Sequence, residues 1–100
     1  MSGRLKQTGS FIGTGAALEI ALPFNPRYVE VVNLTTLTKG FNHEHNDVAL
    51  KEGGVKTIID GTMSAMTAAE GITLGDRKFT VGTAAQVNGS GDTHVFLAIE

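Results

Sequence analysis

Apolar and polar residues alternate along much of the chain, and this period of two is typical of β-strands. The alternation is clearest in seven segments, which are 18–22, 27–34, 47–52, 55–59, 72–74, 78–81 and 93–99. Turn-forming glycine, asparagine and aspartate separate these segments roughly every ten residues. About seven or eight short strands at this spacing predict an all-β fold, a single-domain β-sandwich of the jelly-roll type.

The predicted sandwich spans residues 13–100, and we expect residues 1–12 to form an extended N-terminal arm. The arm is polar and lacks clear alternation, so it is either a clasp that becomes ordered on a partner or simply disordered. No linker, internal repeat or low-complexity tract divides the rest of the chain. The sequence therefore predicts one domain.

Two segments do not alternate clearly. The polar stretch from Thr35 to Asn46 is interpreted as a long loop, with Phe41 as its anchor in the core. Residues 62–70 fit a short helix capped by Thr62 and ended by Gly71, and fit an extended or irregular segment equally well. Both interpretations stay open, because a nine-residue helix is marginal without packing.

The last predicted strand is apolar on both of its faces. His94, Phe96 and Ala98 share one face. Val95, Leu97 and Ile99 share the other. Such a strand is either central in the sandwich or half-covered by another subunit.

Composition narrows the function classes. The chain has 41% hydrophobic residues, which excludes an intrinsically disordered protein, and its 8 basic and 10 acidic residues argue against a nucleic-acid module. The absence of cysteine excludes disulfide scaffolds and cysteine catalysis. No apolar stretch reaches the roughly 20 residues of a membrane helix, so we expect no membrane partner.

Histidines offer the only candidate chemistry. In an extended segment His43, His45 and Asp47 would face the same way, which fits a metal site, a pH-sensitive interface or a solvated polar loop. His94 is expected to be a core residue with one satisfied nitrogen. A catalytic triad would need a nucleophile beside it, and no nucleophile motif surrounds the candidate serines, which are Ser10, Ser64 and Ser90.

Glycine-rich and carboxylate features add no site. Gly13-Thr14-Gly15 precedes a strand, whereas a phosphate-binding loop follows one, so it is interpreted as a turn. The carboxylates and the basic residues are scattered. We therefore assign no catalytic, cofactor-binding or metal-binding residue, and expect a protein that is not an enzyme and uses no cofactor.

Two stretches of the chain resemble small structural proteins of tailed bacteriophages. The first comprises Gly13–Ala17, an apolar strand and Phe24–Asn33; the second comprises Gly71–Thr73, Phe79–Thr83, Val87–Asn88 and Gly91–Thr93. In those proteins a Gly-Phe-x-Pro-Arg-x-Val turn leads into a strand, and a Phe-Thr-Ile-Gly strand precedes the closing strand. Here Phe24-Asn25-Pro26-Arg27 replaces the Gly-Phe form, and the middle of the chain matches less well.

The resemblance covers about two thirds of the chain and implies a virion protein. We expect a capsid decoration (cement) protein, made in the host cytoplasm and placed on the capsid surface. It would bind the major capsid protein and itself, as a homotrimer, and would bind no nucleic acid. The alternative is a tail-fibre, tail-knob or baseplate component that contacts the host surface.

Overall fold

The structure is a computed structural model that describes residues 5–35, 43–47, 53–57 and 63–100, with the backbone alone for 43–47. The described residues form nine strands and one short helix. In chain order they are β1 (Lys6–Ile12), β2 (Leu18–Ala21), β3 (Tyr28–Asn33), β4 (His43–Asp47), β5 (Val55–Thr57), β6 (Met63–Ala65), β7 (Ile72–Gly75), β8 (Lys78–Val81), α1 (Ala85–Asn88) and β9 (Thr93–Ile99).

The strands form two antiparallel sheets. The large sheet has the order β1-β9-β3-β4-β5-β6, and the small sheet has the order β2-β8-β7. The all-β class predicted from the alternation is confirmed. Strands β2, β3, β8 and β9 lie where the sequence predicted them, to within one or two residues at each end.

The two sheets pack against each other around one core. The ring of Phe79 in β8 meets the ring of Phe96 in β9 edge-on, with centroids 5.1 Å apart and an interplanar angle of 64°. The alternation in β3 puts Val29 and Val31 in this core. The other buried apolar residues are Leu22, Phe24, Met66, Ile72, Val81, Val87 and Ala98.

Strand β9 is central in the large sheet. It pairs with β1 on one side, from Lys6 opposite Ile99 to Ile12 opposite Thr93, and with β3 on the other. This place in the sheet agrees with the first interpretation of its apolar faces, but Val95, Leu97 and Ile99 on the outward face stay partly exposed, so a covering subunit remains a prediction. The segment predicted as an arm is thus largely an edge strand, and residues 1–4 lie outside the described residues.

Strand β1 could not be recognised from hydrophobic alternation. All of its residues except Phe11 are exposed, so its sequence has no alternating apolar positions. Its place in the sheet comes from backbone pairing with β9. Gly9 favours this pairing because the ring of Phe96 lies over it, within 2.8 Å of where a Cβ would stand.

The polar segment predicted as a loop also contains a strand. Its last residues form β4, paired from His43 opposite Val32 to Asp47 opposite Tyr28. The prediction of a loop over Thr35–Asn46 was wrong there, because β3 offers a partner whose backbone pairing needs no apolar alternation. Residues 36–42, including the predicted anchor Phe41, lie outside the described residues, as do 48–52 of the predicted third strand.

Residues 63–70 contain no helix. Met63–Ala65 form β6, and the chain then turns, with the amides of Glu70 and Gly71 donating to the Thr67 carbonyl. The Glu70 carboxylate accepts from the Thr67 hydroxyl at 3.1 Å. The extended alternative is therefore the correct one in this segment. Thr62, the turn at 60–61 and the end of the predicted fourth strand, 58–59, are outside the described residues.

A second contact between the sheets lies at Gly71. Gly53 forms a bridge with Ile72, through the pair of hydrogen bonds between their backbones. The Gly71 Cα lies so close to this bridge that a Cβ would overlap the Gly53 carbonyl oxygen. The large sheet is therefore joined to the small one at a point where only glycine fits.

We expect Gly71→Ala to lower the free energy of unfolding by roughly 1–3 kcal/mol, the usual cost of overpacking. Chemical denaturation monitored by circular dichroism measures this. The control is Gly75→Ala, whose Cβ would meet the flexible Lys78 side chain at 3.1 Å and the Lys78 carbonyl oxygen at an ordinary contact distance of 3.6 Å. Equal midpoints for the two variants would contradict the close approach at Gly71.

Candidate functional site

A cluster of buried polar groups lies where the loop from β1 to β2 meets the turn before β9. The Gly13 amide donates to the Asp92 carbonyl at 2.8 Å, and the Gly91 amide donates to the Gly13 carbonyl at 2.9 Å. A Cβ on Gly13 would overlap the Gly89 carbonyl oxygen. The predicted turn at residues 13–15 thus packs backbone to backbone against residues 88–92, which the sequence also predicted as a turn.

The Asn88 side chain is the link at the centre of this cluster. Its Oδ1 accepts from the Thr14 amide at 2.7 Å, and its Nδ2 donates to the carbonyls of Ala16 at 2.6 Å and Gly82 at 2.8 Å. The residue is fully buried. One carboxamide therefore joins the β1–β2 loop, the end of β8 and helix α1.

Asn33, at the end of β3, makes the matching link to α1. Its Nδ2 donates to the Ala85 carbonyl at 2.8 Å and to Asp92 Oδ2 at 3.0 Å, and its Oδ1 accepts from the Thr35 amide. The sequence analysis did not predict a role for either asparagine. A signal existed for Asn33 alone, since it is a polar residue at the inward position that follows Val29 and Val31 in β3.

His94 faces the same cluster from β9. Its Nε2 accepts from the Gly89 amide at 3.0 Å, so the neutral ring carries its proton on Nδ1. Nδ1 is buried and has no hydrogen-bond partner among the described residues. The Phe11 ring stacks on the imidazole, with centroids 5.0 Å apart.

This environment favours the uncharged imidazole. Burial lowers the pKa of His94 below its ordinary value of 6.5, and the hydrogen bond with the Gly89 backbone and the Asp92 carboxylate only partly oppose that shift. The sequence predicted a core histidine with one satisfied nitrogen, and this is the arrangement observed. In the part of the chain that is described, no serine hydroxyl hydrogen-bonds to the ring.

The other histidine hypothesis stays a prediction. His43, His45 and Asp47 occupy alternate positions of β4, opposite Val32, Glu30 and Tyr28 of β3. Their side chains are outside the described residues. Within the described side chains, no three histidine, aspartate or glutamate residues are grouped as metal ligands.

The outward side of the large sheet is the second candidate feature. We call the side chains of β1, β9 and β3 that point away from the core, with Leu34 just beyond β3, the outer face. Its apolar members are Ile12, Val32, Leu34, Val95, Leu97 and Ile99. Ile12 is 58% exposed and Leu34 is 43% exposed, while the others are partly exposed.

Polar residues also lie on this face. Lys6, Thr8 and Ser10 lie along β1, and Thr93 begins β9. On β3 the Tyr28 hydroxyl donates to the Glu30 carboxylate at 2.9 Å. The outward side of the small sheet differs, because Lys78 and Glu19 form an exposed ion pair there at 2.8 Å. The apolar surface is therefore concentrated on the large sheet.

Comparison with protein-family models, with curated proteins and with solved structures gives no match to this chain. Among the described residues, no helix is long and apolar enough to cross a membrane.

We expect acid to destabilise the protein through His94. Because the folded-state pKa is lowered, the stabilising contribution is complete above about pH 6.5 and is lost as the pH falls below it. The free energy of unfolding then decreases by up to about 1.4 kcal/mol per pH unit. Denaturant titrations between pH 8 and about pH 4.5 measure the slope.

The control for this prediction is His94→Gln, whose side-chain oxygen can accept from the Gly89 amide but does not titrate. His43 and His45 are present in both proteins, so the difference between the two pH profiles isolates His94. Parallel profiles would contradict the neutral, buried state of the ring.

Asn88→Asp should be severely destabilising. The new carboxylate would face the carbonyl oxygens of Ala16 and Gly82 in a buried site, with two donors lost, at a cost of roughly 3 kcal/mol or more. The control is Asn25→Asp, because the exposed Asn25 only accepts, from the Arg77 amide at 2.9 Å. If thermal denaturation shows equal losses for both variants, Asn88 is not the link described.

Proposed function

We propose that this protein is a structural component of a tailed-phage virion, a capsid decoration protein that binds the assembled head as an oligomer. The observation that carries the proposal is the outer face, where six apolar side chains are partly or largely exposed on one side of the large sheet. The resemblance at Phe24–Asn33 and in the C-terminal third supplies the virion setting.

The outer face fits a binding role because it combines exposed apolar area with strand rigidity. Val95, Leu97 and Ile99 stand on β9, which is held by neighbouring strands on both sides. Side chains on a central strand lose little further freedom on binding, so more of the gain from apolar burial, about 25 cal/mol per Å², remains as affinity. A large flat partner such as a capsid subunit suits this surface.

Stabilisation of the head would follow by mass action. A protein that binds the assembled shell, and not its separate subunits, shifts the equilibrium toward the shell. An oligomer strengthens this effect, because several copies that engage neighbouring capsid subunits bind with avidity. The three-fold symmetry of a homotrimer matches the local axes of a capsid lattice.

A tail component that contacts host carbohydrate is less well supported. Carbohydrate surfaces are commonly met by exposed aromatic rings. Among the described aromatic residues, Phe24, Phe79 and Phe96 are buried, and Phe11 and Tyr28 are partly buried. Tyr28 also bonds to Glu30 through its hydroxyl. The apolar aliphatic surface favours a protein partner.

The test is the location and copy number of the protein in the phage particle whose genome encodes it. We expect hundreds of copies on the shell, and Leu97→Lys should reduce them by at least about tenfold, since a charge buried at the interface is costly. The control is Thr80→Lys, which adds the same charge to the outward side of the small sheet. Circular dichroism checks that both variants are folded.

Two outcomes would overturn the proposal. One is a few copies at the tail tip, which would indicate the tail alternative. The other is equal occupancy of the shell by Leu97→Lys and Thr80→Lys, because the outer face would then take no part in binding.

A further inference from the structure

The edge of the large sheet at β1 carries an unused row of backbone groups. Among the described residues, β1 pairs with β9 alone. The Glu100 amide donates to the Leu5 carbonyl and the Gly13 amide donates to the Asp92 carbonyl, so the odd-numbered residues of β1 bond to β9. Hydrogen bonds alternate in an antiparallel ladder, and the even-numbered residues therefore direct their N–H and C=O groups outward.

This edge carries only one of the features that usually block strand addition, the charge of Lys6 at its first residue. Natural edges are interrupted by proline, by bulges or by inward charges. Strand β1 has no proline, its register with β9 is continuous over seven residues, and Lys6 is its single charge. The strand is also flat on its inward side at Gly9, where the Phe96 ring replaces a side chain.

We propose that β1 is an interface between two copies of this chain, which pair antiparallel about a two-fold axis at Gly9. This register engages all seven residues of both strands. It places Thr8 opposite Ser10 of the second copy, and Lys6 opposite Ile12. About eight backbone hydrogen bonds form, from the outward groups of the even-numbered residues.

Charge also favours this register over its neighbours. Because Lys6 is near one end of β1, the antiparallel arrangement keeps the two ammonium groups at opposite ends of the paired strands. Sliding the strands to overlap at their N-terminal ends would bring these like charges together and shorten the ladder. The partner that fits best over the whole length of β1 is β1 of an identical chain.

The pairing would also extend the outer face. The even-numbered residues of β1 project their side chains on that side, next to Val95 and Leu97 of β9. Two large sheets joined at β1 form one continuous sheet with the apolar surfaces of both copies on the same side. The inference rests on the geometry of β1 and holds whether or not the virion proposal does. It leaves the outer faces of both copies available for a capsid subunit.

Disulfide trapping tests the proposal, since the chain has no cysteine of its own. Thr8→Cys and Ser10→Cys are purified separately, mixed and mildly oxidised. Hydrogen-bonded antiparallel pairs have Cα atoms about 5.5 Å apart, within the range of a disulfide. We expect the mixed dimer in clear excess over either homodimer, and over dimers of the control Ser90→Cys, which lies in an exposed turn.

Statistical mixing, or no cross-linking above the Ser90→Cys level, would overturn the proposal. So would an excess of the Thr8→Cys homodimer, because that product requires a different register.

Solution mass gives an independent readout. The wild-type chain should show a two-fold species by light scattering at about 100 μM. Thr8→Pro removes an outward N–H and should raise the dimer dissociation constant by about tenfold or more, whereas Thr8→Val keeps the N–H and should not. A wild-type monomer would contradict the proposal, and so would a trimer that does not give the mixed disulfide. Neither result bears on capsid binding, which the copy number in the phage particle tests separately.

Discussion

The structure depends on the buried Asn88 carboxamide. The chain leaves the large sheet at the end of β1 and enters the small sheet at β2, and the loop between them is held by Asn88 at both Thr14 and Ala16. The same side chain holds Gly82, where the small sheet ends at β8. A buried amide that bonds to three separate backbone groups costs free energy when it moves, although the Ala16 carbonyl also accepts from the Thr14 hydroxyl. Asn88 therefore helps to fix the relative position of the two sheets, together with the Gly53–Ile72 bridge and the Phe79–Phe96 contact between them.

Hydrophobic alternation predicted those strands whose register matters to the core. In β3 one face is buried, so a shift by one residue would turn Val29 and Val31 outward, and in β9 the same shift would turn Phe96 outward. That constraint is visible in a single sequence. Strands β1 and β4 were missed for the opposite reason. Their place comes from backbone pairing with a neighbour, and such pairing leaves no apolar period in KQTGSFI or HEHND. An edge strand of this kind becomes identifiable only when its partner is known.

The polar cluster shows a different limit. Asn33 and Asn88 both begin a triplet that matches a glycosylation signal, yet both are fully buried and hydrogen-bonded to the backbone. Most of their partners lie more than 50 residues away in sequence, at Ala85 and Asp92 for Asn33 and at Thr14 and Ala16 for Asn88, and no local pattern encodes such contacts. His94 was predictable as a core residue because it continues the inward positions of β9. Its choice of partner, the Gly89 amide, depends on a turn that also excludes a side chain at position 89, where a Cβ would overlap the Asp92 carboxylate.

The two outward surfaces of the domain have different chemistry, and this asymmetry bears on how such a domain would sit on a partner. The small sheet presents Lys78, Glu19 and two threonines, Thr73 and Thr80, which water solvates well. The large sheet presents aliphatic side chains on β9 and β3 and ends at β1, whose outer edge has no strand partner among the described residues. Burying the small-sheet side would cost desolvation of an ion pair with little apolar gain. Burying the large-sheet side removes apolar area from water. The outward backbone groups of β1 lie in the plane of the sheet, so strand pairing there leaves this side free to be buried as well. An assembly that uses both contacts orients the domain with the small sheet toward solvent.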